Sequence, residues 1–165
     1  MTPGRVELLQ GMPIFGALHD DALACLLEGA PIVSHAAGEY FFREGEEALS
    51  MFVLEQGAVE VLKRWQDRLF PLHRLGAGDC FGEMALMDLF PRSASVRATE
   101  SSRAIEITPA ALQRLFERDV EQFALIQMNI GREVSRRLRA TDELLFRASM
   151  GEALDGAAED VFRGH

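Results

Sequence analysis

The sequence predicts one mainly β domain, an antiparallel sandwich or barrel with helices before and after it. Between residues 32 and 107, short runs of strand-forming residues are separated by Gly, Pro and charged clusters, which is typical of all-β domains. After residue 119, apolar residues recur at steps of three and four, which predicts a long amphipathic helix. The length of 165 residues and the apolar content of 48% suit one domain with its own core, and a second full domain is not expected.

Two helices are predicted before the first strand, at residues 6–10 and 20–29. The second helix has Asp20 or Asp21 near its start and Gly29 at its end, which are the residue types expected at these two positions.

Seven strands are predicted in the central region, with glycines at the corners between them. Gly57 lies at an expected tight turn, and Gly38 and Gly45 mark other corners. The predicted strands are residues 32–34, 40–43, 51–55, 58–64, 69–75, 94–99 and 103–107.

Two further helices are predicted after the strands. Thr108 is the expected N-cap and Pro109 the first residue of a helix that covers residues 110–117. The next helix, residues 120–147, carries one apolar stripe, formed by Phe123, Ile126, Ile130, Val134, Leu138 and Leu145, with a gap at Thr141. The charged residues of this helix are expected largely outside the stripe, namely Arg132, Glu133, Arg136, Arg137 and Arg139.

The apolar stripe is longer than a small barrel can cover. We therefore expect its outer half to pack against the same helix of a second copy, in a homodimer. The alternative is a helix that lies on its own domain with its basic residues solvated. The predicted organisation is a barrel with N-terminal helices at 1–119, a dimerisation or lid helix at 120–147, and a short acidic tail at 148–165.

Composition limits the function classes. A net charge of −9 disfavours direct binding of DNA and requires that any anionic ligand be held by local positive charge. Cys25 and Cys80 are too few for a disulfide scaffold, and we expect buried, reduced thiols in a cytoplasmic protein. No stretch is long and apolar enough for a membrane span. The scattered histidines predict no metal site, and no constellation of catalytic residues stands out, so an enzyme is not expected.

Residues 76–98 predict an anion-binding site, which we call the anion cradle. Gly82 permits close backbone approach, and residues 84–90 predict one small helix whose first N–H groups lack intrahelical partners. Arg92 can offer two parallel N–H donors to phosphate oxygens, and Ser93 adds a hydroxyl donor. Glu83 accepts hydrogen bonds, so it suits a sugar hydroxyl better than a phosphate. The segment therefore predicts a ligand that carries both a phosphate and a free ribose hydroxyl.

This segment resembles the phosphate-binding cassette of cyclic nucleotide-binding domains, through Phe81-Gly82-Glu83, Ala85-Leu86 and Pro91-Arg92-Ser93-Ala94. The resemblance implies a jelly-roll barrel, or double-stranded β-helix, of about eight strands. It also implies that Glu83 holds the ribose 2′-hydroxyl, Arg92 the cyclic phosphate and Ser93 a further phosphate contact. The candidate ligand-binding residues here are Phe81, Gly82, Glu83, Met84, Ala85, Leu86, Arg92, Ser93 and Ala94.

Residues 135–143 resemble the central helix of catabolite-activator-type regulators. The resemblance implies that Thr141 contacts adenine and that the next residue reaches the ligand of the second subunit. Asp142 stands where the family has serine. A carboxylate accepts from the amino group of adenine and repels the carbonyl of guanine, which favours cAMP as the ligand, with cGMP as the alternative.

The resemblance covers roughly residues 6–147. The regulators continue into a helix-turn-helix unit, for which the short acidic tail is too small and has the wrong charge. We therefore expect a stand-alone sensor, without a cofactor other than its ligand, that signals through its C-terminal helix to an unidentified downstream protein. The alternative is a dimerising interaction protein that has lost or changed its ligand, and a DNA-binding repressor is disfavoured.

Overall fold

The computed structural model describes residues 3–151 of the chain. The acidic tail predicted from residue 148 therefore lies largely outside the described residues. The helices are α1 (Pro3–Gln10), a 3-10 turn (Pro13–Phe15), α2 (Asp20–Leu27), α3 (Met84–Asp88), α4 (Pro109–Arg118) and α5 (Val120–Ser149). The strands are β1 (Ile32–His35), β2 (Tyr40–Phe42), β3 (Met51–Gln56), β4 (Ala58–Trp65), β5 (Arg68–Gly76), β6 (Cys80–Phe81), β7 (Ser95–Ala98) and β8 (Ser102–Ile107).

The strands form two four-stranded antiparallel sheets, in the orders β1-β8-β3-β6 and β2-β7-β4-β5. This arrangement confirms the predicted jelly-roll fold of about eight strands with flanking helices. The two sheets are not joined into a closed barrel. The sequence prediction missed β6, because a strand of two residues leaves no alternating pattern to detect.

Strand β3 is buried on both faces and separates two hydrophobic cores. Phe52 and Leu54 point into the core between the two sheets. Met51 and Val53 point the other way, into a core that the helices cover. The alternation follows from the two-residue period of a strand, and it explains why residues 51–54 form an unbroken apolar run.

The N-cap of α4 is formed as predicted, whereas α2 has Asp20, Asp21 and Gly29 at the predicted ends but no side-chain N-cap. The Thr108 hydroxyl accepts a hydrogen bond from the Ala111 N–H at 3.2 Å. Helix α2 begins after His19 and ends at Leu27, so Asp20 and Asp21 lie within its first turn, where they face the positive end of the helix dipole. Gly29 follows the helix with a φ of 66°.

Two buried amides attach the first half of α5 to the N-terminal segment. The Asn129 Nδ2 group donates to the carbonyl oxygens of Ile14 at 3.1 Å and Gly16 at 2.9 Å. The Gln122 Oε1 atom accepts from the His19 N–H at 2.8 Å. Both amides are buried, and the apolar stripe alone gave no indication of them.

The domain covers only the first half of the α5 stripe. Ile126 and Ile130 are fully buried, while 59% of Leu138 and 65% of Leu145 are exposed. The charged residues do not all lie outside the buried face, because Glu133 is buried and the Arg137 side chain is only 15% exposed. Within residues 3–151, no helix is long and apolar enough to span a membrane, and no group of three or more His, Cys, Asp or Glu side chains could hold a metal.

Replacement of Asn129 tests the attachment of α5. Asn129→Ala removes two donors and leaves the carbonyls of Ile14 and Gly16 without them, which should lower the free energy of unfolding by about 1–3 kcal/mol. Urea unfolding followed by circular dichroism measures the change. Gln113→Ala, at an exposed amide on α4, is the control and should stay within about 0.5 kcal/mol of the wild type. An Asn129→Ala midpoint equal to that of the control would contradict this role.

Candidate functional site

The predicted anion cradle folds as a tight turn followed by a very short helix. Gly82 has a φ of 78°, in the left-handed region that favours glycine. Helix α3 has five residues and ends at Asp88, earlier than the predicted 84–90. It ends there because Leu89 adopts a left-handed conformation with a φ of 58°, which a helix cannot continue.

Arg92 is buried directly against this turn. Its side chain lies on the face of Phe42, with Cζ 3.9 Å from the ring centroid, and its Nη1 group donates to the Gly82 carbonyl oxygen at 3.0 Å. A Cβ atom at position 82 would lie 2.5 Å from Nη1, so any other residue there would displace the guanidinium in addition to straining the backbone. The Gly45 corner fixes the Arg92 backbone, since the Gly45 N–H donates to the Arg92 carbonyl oxygen at 2.9 Å.

The Arg92 guanidinium has no carboxylate partner among the residues that the structure describes. Its Nε atom is buried and lacks a hydrogen-bond acceptor within the same range. Burial lowers the pKa of Arg92 from its ordinary value, and the more distant charges of Glu106, Glu46 and Glu83 act in the opposite direction. A buried cation without an acid is costly for the fold, and a bound anion would recover part of that cost.

Glu83 does not contact Arg92. Its Oε1 atom accepts from Nη1 of Arg137 on α5, at 2.7 Å, and both side chains are largely buried. Arg137 also donates to the Cys80 carbonyl oxygen and lies 3.5 Å from the Glu133 carboxylate. Glu133 in turn pairs with Arg136. A chain of charges therefore connects the cradle to α5.

Sequence reasoning missed Arg137 as part of this site. The residue stands inside the 135–143 segment that resembles the regulators, one helical turn before Thr141. That position could have indicated a role for Arg137 in the site. The stripe pattern instead predicted that Arg137 is solvated. The error arose because a long arginine can reach back from the edge of a stripe into a buried acid.

The other cassette residues divide into core and surface. Phe81 stacks on Phe52, with ring centroids 5.4 Å apart, so its side chain belongs to the core between the sheets. Ala85 and Ala94 are buried small residues, and Leu86 is partly buried. Met84 and Ser93 are exposed at the surface of the cassette, where the Ser93 hydroxyl lies 3.9 Å from the Met84 sulfur.

Thr141 and Asp142 are exposed on α5 and form no described contact with the cassette. The Thr141 hydroxyl donates to the Arg137 carbonyl oxygen at 2.9 Å, one turn back along the same helix. The structure thus brings Glu83 and Arg92 to the two sides of the Gly82 turn, and links Glu83 to α5 through Arg137 rather than through Thr141. As described, the Arg92 guanidinium is buried without an acid partner, and the Glu83 carboxylate is already paired with Arg137.

Comparison with known proteins gives consistent matches. The family model described as "Cyclic nucleotide-binding domain" matches residues 32–119. The chain is 36% identical over 93 residues to the cAMP-dependent protein kinase type II regulatory subunit of Drosophila melanogaster, a match that covers 56% of this chain and 25% of that protein. It is 29% identical over 140 residues to the CRP-like cAMP-activated global transcriptional regulator of Mycobacterium tuberculosis, covering 84% of this chain and 61% of that protein.

The fold also matches a solved structure, that of a cyclic nucleotide-binding domain from Methylobacillus flagellatus. The TM-score is 0.76 at 21% identity, and the match covers 86% of this chain and 81% of that one. The chain spans only about a quarter of the length of the kinase regulatory subunit.

A double-mutant cycle tests the pair between Glu83 and Arg137. Arg137→Met leaves the Glu83 carboxylate buried without its partner and should cost about 3 kcal/mol or more of the free energy of unfolding. Because Glu83→Gln removes the stranded charge, the double variant should be more stable than the sum of the two single changes predicts, by about 1–3 kcal/mol. Arg139→Met, at an exposed position on the same helix, is the control. Additive effects in urea unfolding would show that the two residues do not interact.

Proposed function

Because this chain belongs to the cyclic nucleotide-binding domain family, we propose that it is a sensor that binds cAMP at the cassette around Arg92. The single observation that carries the proposal is the buried Arg92 guanidinium, which has no carboxylate partner within residues 3–151 and lies against the Gly82 turn. The cyclic phosphate takes the forked donors of Arg92 and the free N–H groups at the start of α3. Ser93 adds its hydroxyl at the exposed side.

The ribose hydroxyl supplies the proposed connection to the rest of the molecule. A 2′-hydroxyl that donates to Glu83 competes with Arg137 for the same carboxylate. Binding therefore acts on α5 through a contact that is already present before the ligand arrives. The ligand can shift α5 only to the extent that it binds one arrangement of the pair better than the other.

The preference for cAMP is supported by the two curated relatives, whose names specify cAMP, and by the side chains of the outer α5 surface. We propose that Thr141 contacts adenine and that Asp142 of a second copy accepts from its amino group. The carboxylate disfavours guanine, whose edge presents a carbonyl at that point.

A homodimer through residues 120–147 completes this proposal. Met128, Leu138 and Leu145 are all more than half exposed, and they share one face with Gly131 and Asp142 at steps of three, seven, four and three. This is the spacing of a seam between two parallel helices. A second copy would cover the exposed leucines and bring Asp142 to the partner's ligand.

The proposed output passes through α5 to a downstream protein in the cytoplasm, and the protein acts as a regulator rather than an enzyme. One observation favours the second candidate, a dimerising interaction protein without a ligand. Arg137 already satisfies Glu83, so the ribose subsite is closed as described. The two candidates differ in whether cAMP binds at all.

Titration calorimetry with cAMP and cGMP tests the sensor. We expect cAMP to bind the wild type more tightly than cGMP, and Arg92→Ala to weaken cAMP binding by about 10- to 100-fold because charge-assisted hydrogen bonds to the phosphate are lost. Arg118→Ala, at an exposed arginine on α4, is the control and should bind as the wild type does. Equal affinity in Arg92→Ala and wild type would exclude the phosphate role, and no binding to either protein would favour the interaction protein.

Sedimentation velocity tests the dimer. Leu138→Glu places a charge in the middle of the proposed seam and should convert the dimer to a monomer, because burying an unpaired carboxylate costs more than the contact provides. Gln113→Glu adds the same charge at an exposed position on α4 and should leave the dimer intact. A wild-type protein that sediments as a monomer, or a Leu138→Glu variant that stays dimeric, would contradict this interface.

A further inference from the structure

A large cleft lies outside the cassette, between the 3-10 turn, β5 and the first half of α5. Its volume is about 1050 Å³, and neither Glu83 nor Arg92 lines it. The volume is that of a site for a ligand of nucleotide size. None of the functions proposed above uses this space.

Two arginines face the cleft from opposite elements and lack carboxylate partners. Arg74 belongs to β5 and Arg132 to α5. No Asp or Glu oxygen of the described chain lies within 4.0 Å of either guanidinium, whereas Arg136 and Arg137 in the same lining are both ion-paired. The Arg132 Nη1 group donates to Asn129 Oδ1 at 3.0 Å, which orients the side chain and leaves its other donors available.

Three acids also line the cleft, and of these only Glu133 is ion-paired within the described chain. Asp79 accepts from the Gly76 N–H at 2.8 Å, and Glu133 pairs with the arginines of its own helix. Glu100 is the third acid in the lining and is exposed. Among the described residues, four arginines and three acids line the cleft, so its lining carries one net positive charge, and Glu100 lies in the loop between β7 and β8.

The positive charges near the cleft also act on His73. The residue lines the cleft, and its pKa is lowered to about 4 by burial first and then by the positive charges of Arg137 and Arg136. Its imidazole is therefore neutral at pH 7.

We propose that this cleft is a second ligand site, which binds a di- or triphosphate group between Arg74 and Arg132. Two forked guanidiniums on different walls suit a ligand with at least two anionic groups, and one phosphate would engage only one of them. The chain has a net charge of −9, so its overall field repels such a ligand and affinity has to come from this local pair. The phosphate chain can belong to a nucleotide or to free polyphosphate.

Occupancy of the cleft also reaches the cassette. Arg136 and Arg137 line the cleft, and their acid partners are Glu133 and Glu83. A bound polyphosphate competes with these acids for the same guanidiniums. It therefore weakens the hold of Arg137 on Glu83, and the two sites are coupled through one ion pair.

Titration calorimetry with inorganic tripolyphosphate, and separately with ATP, tests the site in the full chain. We expect saturable binding of tripolyphosphate to the wild type and a loss of about tenfold or more in Arg74→Ala and in Arg132→Ala. The controls are Arg68→Ala on β5 and Arg139→Ala on α5, two exposed arginines outside the cleft, which should bind as the wild type does. ATP affinity equal to that of tripolyphosphate would assign binding to the phosphate chain alone, and tighter ATP binding would add the nucleoside.

Arg92→Ala separates this proposal from the cAMP site. The variant should bind cAMP more weakly and keep the affinity for tripolyphosphate, because Arg92 does not line the cleft. If Arg92→Ala removes tripolyphosphate binding, the anion occupies the cassette and the second site does not exist. Absence of saturable binding to the wild type, or equal losses in the cleft variants and their controls, would overturn the proposal in the same way.

Discussion

The connection between the cassette and α5 depends on the ion pair between Glu83 and Arg137. It joins the segment beside the Gly82 turn to the middle of α5, a helix that is about 45 Å long. Both side chains are largely withdrawn from water, so neither can lose its partner without a replacement. Any ligand group that takes an oxygen of Glu83 must act on α5 as well. The pair therefore makes the barrel and the long helix mechanically dependent on each other, although few other contacts connect that part of α5 to the sheets.

Arg92 differs from this pair, because its guanidinium is buried and no carboxylate of the described chain contacts it. Phe42 supports the plane of the guanidinium, Gly82 leaves room for it and the Gly45 corner fixes its backbone. The guanidinium therefore loses its water when the chain folds and not when a ligand binds. Such preorganisation is the usual way in which a protein obtains affinity for a small anion from few contacts.

Much of the fold could be predicted from the sequence, because its strands and helices follow their periods and caps. Seven of the eight strands and the Thr108 cap were located from these patterns. The features that could not be predicted depend on tertiary contacts. The end of α3 depends on the left-handed conformation of Leu89, and a strand as short as β6 exists only because β3 pairs with it. The site residues could be proposed from their order along the chain, but the pairing of Arg137 with Glu83 spans 54 positions and leaves no local pattern.

Strand β3 belongs equally to the two hydrophobic cores, with neighbouring side chains facing opposite ways. A small displacement of this strand cannot be absorbed in one layer, because close-packed interiors transmit strain instead of deforming gradually. The sheets and the helical layer must therefore rearrange in concert or remain fixed. A displacement of β3 therefore changes the packing of the helices as well as that of the sheets, even where no helical side chain is touched directly.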